Sequence, residues 1–115
     1  MIDLAYVNLV RELVAEGEKV EMEFSGSSML PTIPMQCKIL VGRLRSVEIG
    51  KVYVYISSDP YPVLVCHRLV ELCGDKLYFC GDNRNCVDPP VIKETIIGRC
   101  IAYISDGKVF PIDRG

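Results

Sequence analysis

No apolar run in the 115-residue chain approaches the ~20 residues that a membrane-spanning helix requires. The N-terminus also lacks the basic, apolar and small-residue succession of a secretory signal. These two absences predict a soluble, cytoplasmic chain with no spanning segment, peripheral association being the only membrane contact left open. There is one histidine and no Cys-x-x-Cys pair, so a closed tetrahedral zinc site would have to gather four ligands from distant strands. No metal and no cofactor is expected. The six cysteines, Cys37, Cys66, Cys73, Cys80, Cys86 and Cys100, would suit a disulfide scaffold in an exported protein; without an export signal they read as reduced, partly buried thiols. Positive charge is sparse too. Lys and Arg number 13 against 15 Asp and Glu, for a formal charge of -2, and they are scattered singly along the chain. That leaves no basic stripe to neutralise a run of phosphates, so nucleic acid is not an expected partner.

What is present is a globular composition, 50% hydrophobic and 24% charged, in a length that supports one core. Ile2, Tyr6, Leu9, Val10, Leu13 and Val14 fall at helical spacing, with Asn8, Arg11, Glu12 and Glu16 opposite and Gly17 as a stop. Residues 1–17 are therefore predicted to form one amphipathic helix packed on the domain. From Lys19 the period changes to two: Val20, Met22 and Phe24 alternate with Lys19, Glu21 and Glu23, the pattern of a half-buried strand that runs into Ser25 and Gly26. Runs rich in Val, Ile and Tyr follow at Lys38 to Leu44, Lys51 to Ser57, Val63 to Leu72, Lys76 to Cys80, Thr95 to Ser105 and Lys108 to Ile112, separated by Gly- and Pro-containing turns. The expected fold is mainly β, a curved and partly closed sheet over residues 19–113 in a single domain.

Three short segments carry side chains suited to chemistry. Ser28 sits just past a strand end in "GSSMLPT", where Gly26 permits close backbone approach and Pro31 stiffens the exit, so its hydroxyl is presented at a fixed angle. His67, the sole imidazole, lies inside the strand "VLVCHRLVEL", sharing a face with Val65 and Leu69 while Cys66, Arg68 and Val70 take the other. "GDNRNCVD" brings Asp82 and Asp88, either of which could hold His67 in one tautomer. If the hairpin turns between Gly74 and Asp75, Asp82 falls opposite His67. Each segment also has a plain reading: a capped turn, a hydrogen-bonded core histidine and a tight Asp-Asn turn.

The "GSSMLPT" box, the "HR" pair at His67 and Arg68, and "GDN" followed by Asp88, in that order, resemble the boxes of type I signal peptidases and self-cleaving repressor peptidases. The likeness is greatest to the type of signal peptidase found in archaea and the endoplasmic reticulum, whose base is histidine. The resemblance implies a signal-peptidase-like β domain and a serine peptidase in which Ser28 is the nucleophile, His67 the general base, and Asp82 or Asp88 the orienting carboxylate. It implies that the Ser28 N–H serves the oxyanion. It also implies that an extended peptide lies beside the strands leading to Ser28 and His67, with Gly26, Ser27, Met29 and Leu30 near the substrate. Where some relatives carry an assisting hydroxyl two residues before the nucleophile, this chain has Gly26. Arg68 is expected to be a structural ion-pair partner. The absence of an anchor and of a DNA-binding domain leads to the expectation of a small processing peptidase acting on a leader-like peptide. Competing expectations are a peptide-binding module that does not cut, and a redox or metal protein using Cys66, His67, Cys80 and Cys86.

Overall fold

A computed structural model describes residues 2–58 and 60–112. Its first element is helix α1, Leu4–Ala15. Asp3 caps it, its Oδ1 accepting from the Ala5 and Tyr6 N–H groups at 3.0 and 3.2 Å. Gly17 ends it at φ +94, a left-handed conformation that costs glycine nothing, while Glu18 N–H returns to Leu13 O and Gly17 N–H to Val14 O. The buried stripe is Val7, Val10 and Val14. The expected stripe is thereby corrected: Tyr6 and Leu9 lie on its flank and stay exposed, because the sheet contacts only the narrower Val-lined side.

Eight strands follow among the described residues: β1 Val20–Ser25, β2 Gln36–Gly42, β3 Val52–Ser57, β4 Val63–Cys73, β5 Lys76–Cys80, β6 Val91–Ile92, β7 Ile96–Ser105 and β8 Lys108–Pro111. They form one antiparallel sheet in the order β1-β2-β7-β3-β4-β5-β6. β7 is its spine: β2 pairs along one edge, while β3 and then β8 share the other. The mainly β architecture with one helix is as the sequence predicts, except that the sheet is open, with β1 and β6 at its ends, and the two-residue β6 has no counterpart among the expected strands. Curvature comes from bulges at Leu40/Val41, Val54/Tyr55 and Leu69/Glu71, each of which bends its strand and deepens the local twist.

Alternation along the central strands buries both faces. Val52, Val54 and Cys66 join the helix residues, Met22, Met29, Ile39 and Ile97 in one cluster. Tyr53, Tyr55, Leu69, Leu77, Phe79 and Ile96 form a second, in which Tyr55 stacks on Phe79 at 4.1 Å. The helix reaches the sheet over Gly98. A Cβ there would lie 2.6 Å from Gly42 O, 2.7 Å from Val41 Cγ1 and 3.4 Å from Val14 Cγ1. Two of those approaches are shorter than packed atoms tolerate, so Gly98→Ala forces β2 and β7 apart. We expect it to lower unfolding free energy by about 1–3 kcal/mol, read from the urea midpoint with the m-value unchanged.

Candidate active site

β1 delivers the chain into Gly26, whose φ of +104 turns it out of the sheet, and residues 27–33 wind into a compact turn closed by Leu30 N–H to Ser27 O at 3.3 Å and Ile33 N–H to Met29 O at 2.9 Å. Met29 and Ile33 are fully buried and root this turn in the first cluster. Met29 therefore packs in the core and does not line a groove. Its sulfur also accepts the Asp82 N–H at 3.4 Å.

The segment after β5 is fastened to this turn. Asn83 N–H donates to Ser28 O at 2.8 Å, Asn83 Nδ2 to Ser27 O at 3.1 Å, and Thr32 Oγ1 to Asp82 Oδ2 at 2.5 Å. Asp82 is gripped from its other side by Arg68, whose Nε and Nη2 donate to the two carboxylate oxygens at 2.8 and 2.7 Å; Arg68 Nη1 donates to Gly50 O. This fork is the ion pair expected of Arg68, and it holds the Asp82 carboxyl below its ordinary range, with Thr32 helping and partial burial opposing.

The expected pairing of Asp82 with His67 is corrected by the bulge in β4. Cys73↔Lys76, Leu72↔Leu77 and Glu71↔Tyr78 keep the predicted register, but Leu69 then pairs with Phe79 and Arg68 with Cys80, leaving Val70 as the extra residue. Asp82 is carried one position past the histidine. Asp88 takes the place beside the imidazole: its Oδ2 lies 2.5 Å from His67 Nδ1 and also accepts the Tyr55 hydroxyl at 3.2 Å, while its N–H donates to Phe79 O at 2.8 Å. Burial first, then the Asp88 charge, pushes the Tyr55 hydroxyl far above its usual value, so it remains a neutral donor.

The His67 side chain is 12% exposed. Its other nitrogen faces the serine turn across Gly81. A Cβ on Gly81 would sit 2.6 Å from Ser28 O and 3.1 Å from His67 Nε2, so both atoms converge on the space this glycine leaves open. Ser28 and His67 jointly line a cleft of about 350 Å³ whose other walls include Met22 and Phe24 of β1, Leu64 and Cys66 of β4, and Arg84. β1 and β4 are separated in the sheet by β2, β7 and β3, so it is sheet curvature that brings them to one cleft. A second hollow, lined by His67, Asn83, Arg84, Asn85, Cys86 and Asp88, shares the imidazole. Gly26, Ser27, Met29 and Leu30 are not among the cleft walls; Ser25 and Glu23 are. Ser28 Oγ makes no hydrogen bond among the described residues, and the Ser28 N–H has no protein acceptor there.

The four residues considered as redox or metal ligands do not assemble. Cys66 turns to the core and hydrogen-bonds Cys100, Cys86 is exposed, and among the described residues no three His, Cys, Asp or Glu side chains form a metal-holding group. Thr32, Tyr55, Gly81 and Arg84 belong to the site and were not singled out by sequence. Thr32 lies inside the "GSSMLPT" box and Gly81 opens "GDN", so position within the motifs was their only signal.

Comparison with known families adds a decisive observation: a model described as Peptidase S24-like matches residues 4–101. The chain belongs to the Peptidase S24-like family. No curated protein and no solved structure matches it. The matched span takes in the helix, the serine turn, His67 and both aspartates, and membership of this family supports a serine peptidase or self-cleaving repressor-type activity. Among the described residues no helix is long and apolar enough to cross a membrane.

In this peptidase-family domain the Arg68–Asp82 fork has a pH signature. Because the folded-state value of Asp82 is depressed, its stabilisation is complete above the ordinary carboxyl value of 3.8 and is lost as pH falls through the lower, folded value. Asp82→Asn is expected to cost at most about 1.5–3 kcal/mol at neutral pH, the range for a hydrogen bond to a charged group, reduced where solvent reaches the pair. The gap between wild type and variant should close on acidification below that value, measured by denaturant unfolding across pH.

Proposed function

We propose that this protein is a serine endopeptidase that cuts an extended peptide by a Ser28–His67–Asp88 mechanism. The observation that carries this reading is the contact between His67 Nδ1 and Asp88 Oδ2 at 2.5 Å, with Nε2 directed across Gly81 toward the serine turn. An imidazole whose Nδ1–H is bound to a carboxylate presents an unprotonated Nε2, the tautomer a general base needs. His67 then takes the Ser28 proton as Oγ attacks the peptide carbonyl, and returns it to the leaving amine when the acyl-enzyme forms. Water attacks that ester by the same route in reverse. The Ser28 N–H, without a protein acceptor, is the donor for the oxyanion. Asp82 plays a different part, since its bonds to Arg68 and Thr32 fix the loop against which the serine turn is braced.

The substrate lies in extended form between β1 and β4. Among the described residues β1 is an end strand of the sheet, with one edge free to take main-chain hydrogen bonds, and the apolar walls of the cleft take the side chains before the cut. A leader-like segment with apolar residues ahead of the scissile bond fits this description. The absence of a hydrogen bond between Ser28 Oγ and His67 suits a resting site that tightens on substrate. The same feature favours, as a second reading, a groove that captures peptides without cutting.

Labelling by a fluorophosphonate probe separates the two without knowledge of the substrate. Wild type is expected to be labelled on Ser28, with Ser28→Ala blank and His67→Ala slowed by about 10²–10⁴-fold. Asp88→Asn should lower the rate by up to about 10⁴-fold with the thermal midpoint little changed, since it leaves the wrong tautomer. Asp82→Asn should act chiefly on stability. Labelling that persists in Ser28→Ala would remove the serine from the mechanism, and an unlabelled, folded wild type would favour the binding module.

A further inference from the structure

Basic residues that stand apart in sequence meet at one hollow of about 370 Å³, on the far side of β1 from the serine turn. Lys19, Arg43, Arg45 and Arg99 line it, with Ser46 and Glu48 among its walls. Lys19 precedes β1 and Ser25 ends it, so the six residues of this strand set the hollow on the order of 20 Å from the peptidase cleft. The convergence follows from the fold. Gly42 of β2 pairs with Arg99 of β7, and the chain leaving β2 sends Leu44 onto the second cluster while Arg43 and Arg45 on either side of it stay exposed. Among the described residues Lys19, Arg43 and Arg45 form no ion pair with a carboxylate, and Glu48 is engaged by the Ser46 hydroxyl at 3.2 Å. In a chain of formal charge -2, three such cations facing one concavity make a local field opposite in sign to the whole.

We propose that this hollow binds a phosphate group. Two guanidinium forks and an ammonium supply more donors than a single carboxylate can accept, and they match the several oxygens of a phosphate or pyrophosphate. The volume suits a small molecule or a single headgroup. One concavity, without a continuing basic track, does not follow a nucleic-acid backbone. The ligand chemistry is an anionic phosphate ester or pyrophosphate, carried either on a free metabolite or on a lipid headgroup.

Isothermal titration of the full chain at low salt with pyrophosphate and with ATP, beside sedimentation with phosphatidylglycerol and phosphatidylcholine vesicles, tests the assignment. Saturable binding is expected, weakened roughly ten- to a hundredfold by Arg43→Ala combined with Arg45→Ala, the worth of one or two charge-assisted hydrogen bonds. Lys108→Ala, on β8, should leave it unchanged. Lys19→Ala gives an independent measure should the double variant fold poorly. Variant-sensitive binding to phosphatidylglycerol vesicles alone assigns the phosphate to a headgroup, and binding of pyrophosphate or ATP alone assigns it to a soluble ligand. No saturable binding by wild type, equal affinity in the folded variants, or preference for a polyglutamate peptide over every phosphate probe overturns the proposal.

Discussion

The hydrogen bond from Asn83 N–H to Ser28 O is the constraint on which the site's geometry depends. It joins the turn after β1 to the segment after β5, two pieces of chain that the sheet by itself leaves at separate strands. Around it the Asn83 amide, the Thr32 hydroxyl and the Arg68 fork each add a further tie, so the serine turn is held at several points rather than one. Fixing backbone in this way costs conformational entropy, and the cost is met before any substrate arrives. Gly81 lets the two segments approach this closely, because any side chain there would occupy the space between the Ser28 carbonyl and the imidazole.

The two aspartates divide their labour by environment. Asp82 meets a permanent cation and a hydroxyl, so its charge is neutralised in place. Asp88 meets an imidazole and a phenol that remains protonated. A carboxylate already paired to arginine has little field left to stabilise an imidazolium, whereas one held by an imidazole and a phenol keeps it. This is why Asp88, rather than Asp82, fits the orienting role in the proposed mechanism.

Much of this was legible from residue pattern. Alternation from Val20 to Phe24 marks β1, and the strand-rich remainder marks a mainly β domain, because period-two burial depends on local sequence alone. The serine turn was legible through Gly26 and Pro31. The choice of aspartate was not. It turns on a single bulge at Val70, a residue whose apolar character is the same whether it is paired or extra, so counting from the turn places Asp82 one position wrong. The helix face was half legible: Val10 and Val14 are where periodicity puts them, but how wide a stripe the sheet covers is set by Gly98 and the β2–β7 pairing, which are distant in sequence. The gathering of Lys19, Arg43, Arg45 and Arg99 was invisible for the same reason, since residues scattered singly along a chain say nothing about which strand ends adjoin.

Cys66 is the chemical rival to Ser28, being the residue before His67 and a wall of the same cleft. Sulfur is the better nucleophile when ionised, so the fold must either use this thiol or disarm it. It is disarmed: a hydrogen bond with Cys100, then burial, then the nearby Cys100 and Cys37 groups drive its pKa well upward, and only 6% of the residue is exposed. Cys37 is raised as well, mainly by burial. A thiol held protonated among other thiols is a small apolar core residue, and reactivity returns only with an electropositive neighbour. Arg68, the cation next in the chain after His67, is committed to Asp82 and to the Gly50 carbonyl. The same fork that braces the serine turn therefore gives the thiol no free cation, and in the proposed mechanism it is the hydroxyl in the neighbouring turn, not the thiol in the same strand, that the imidazole serves.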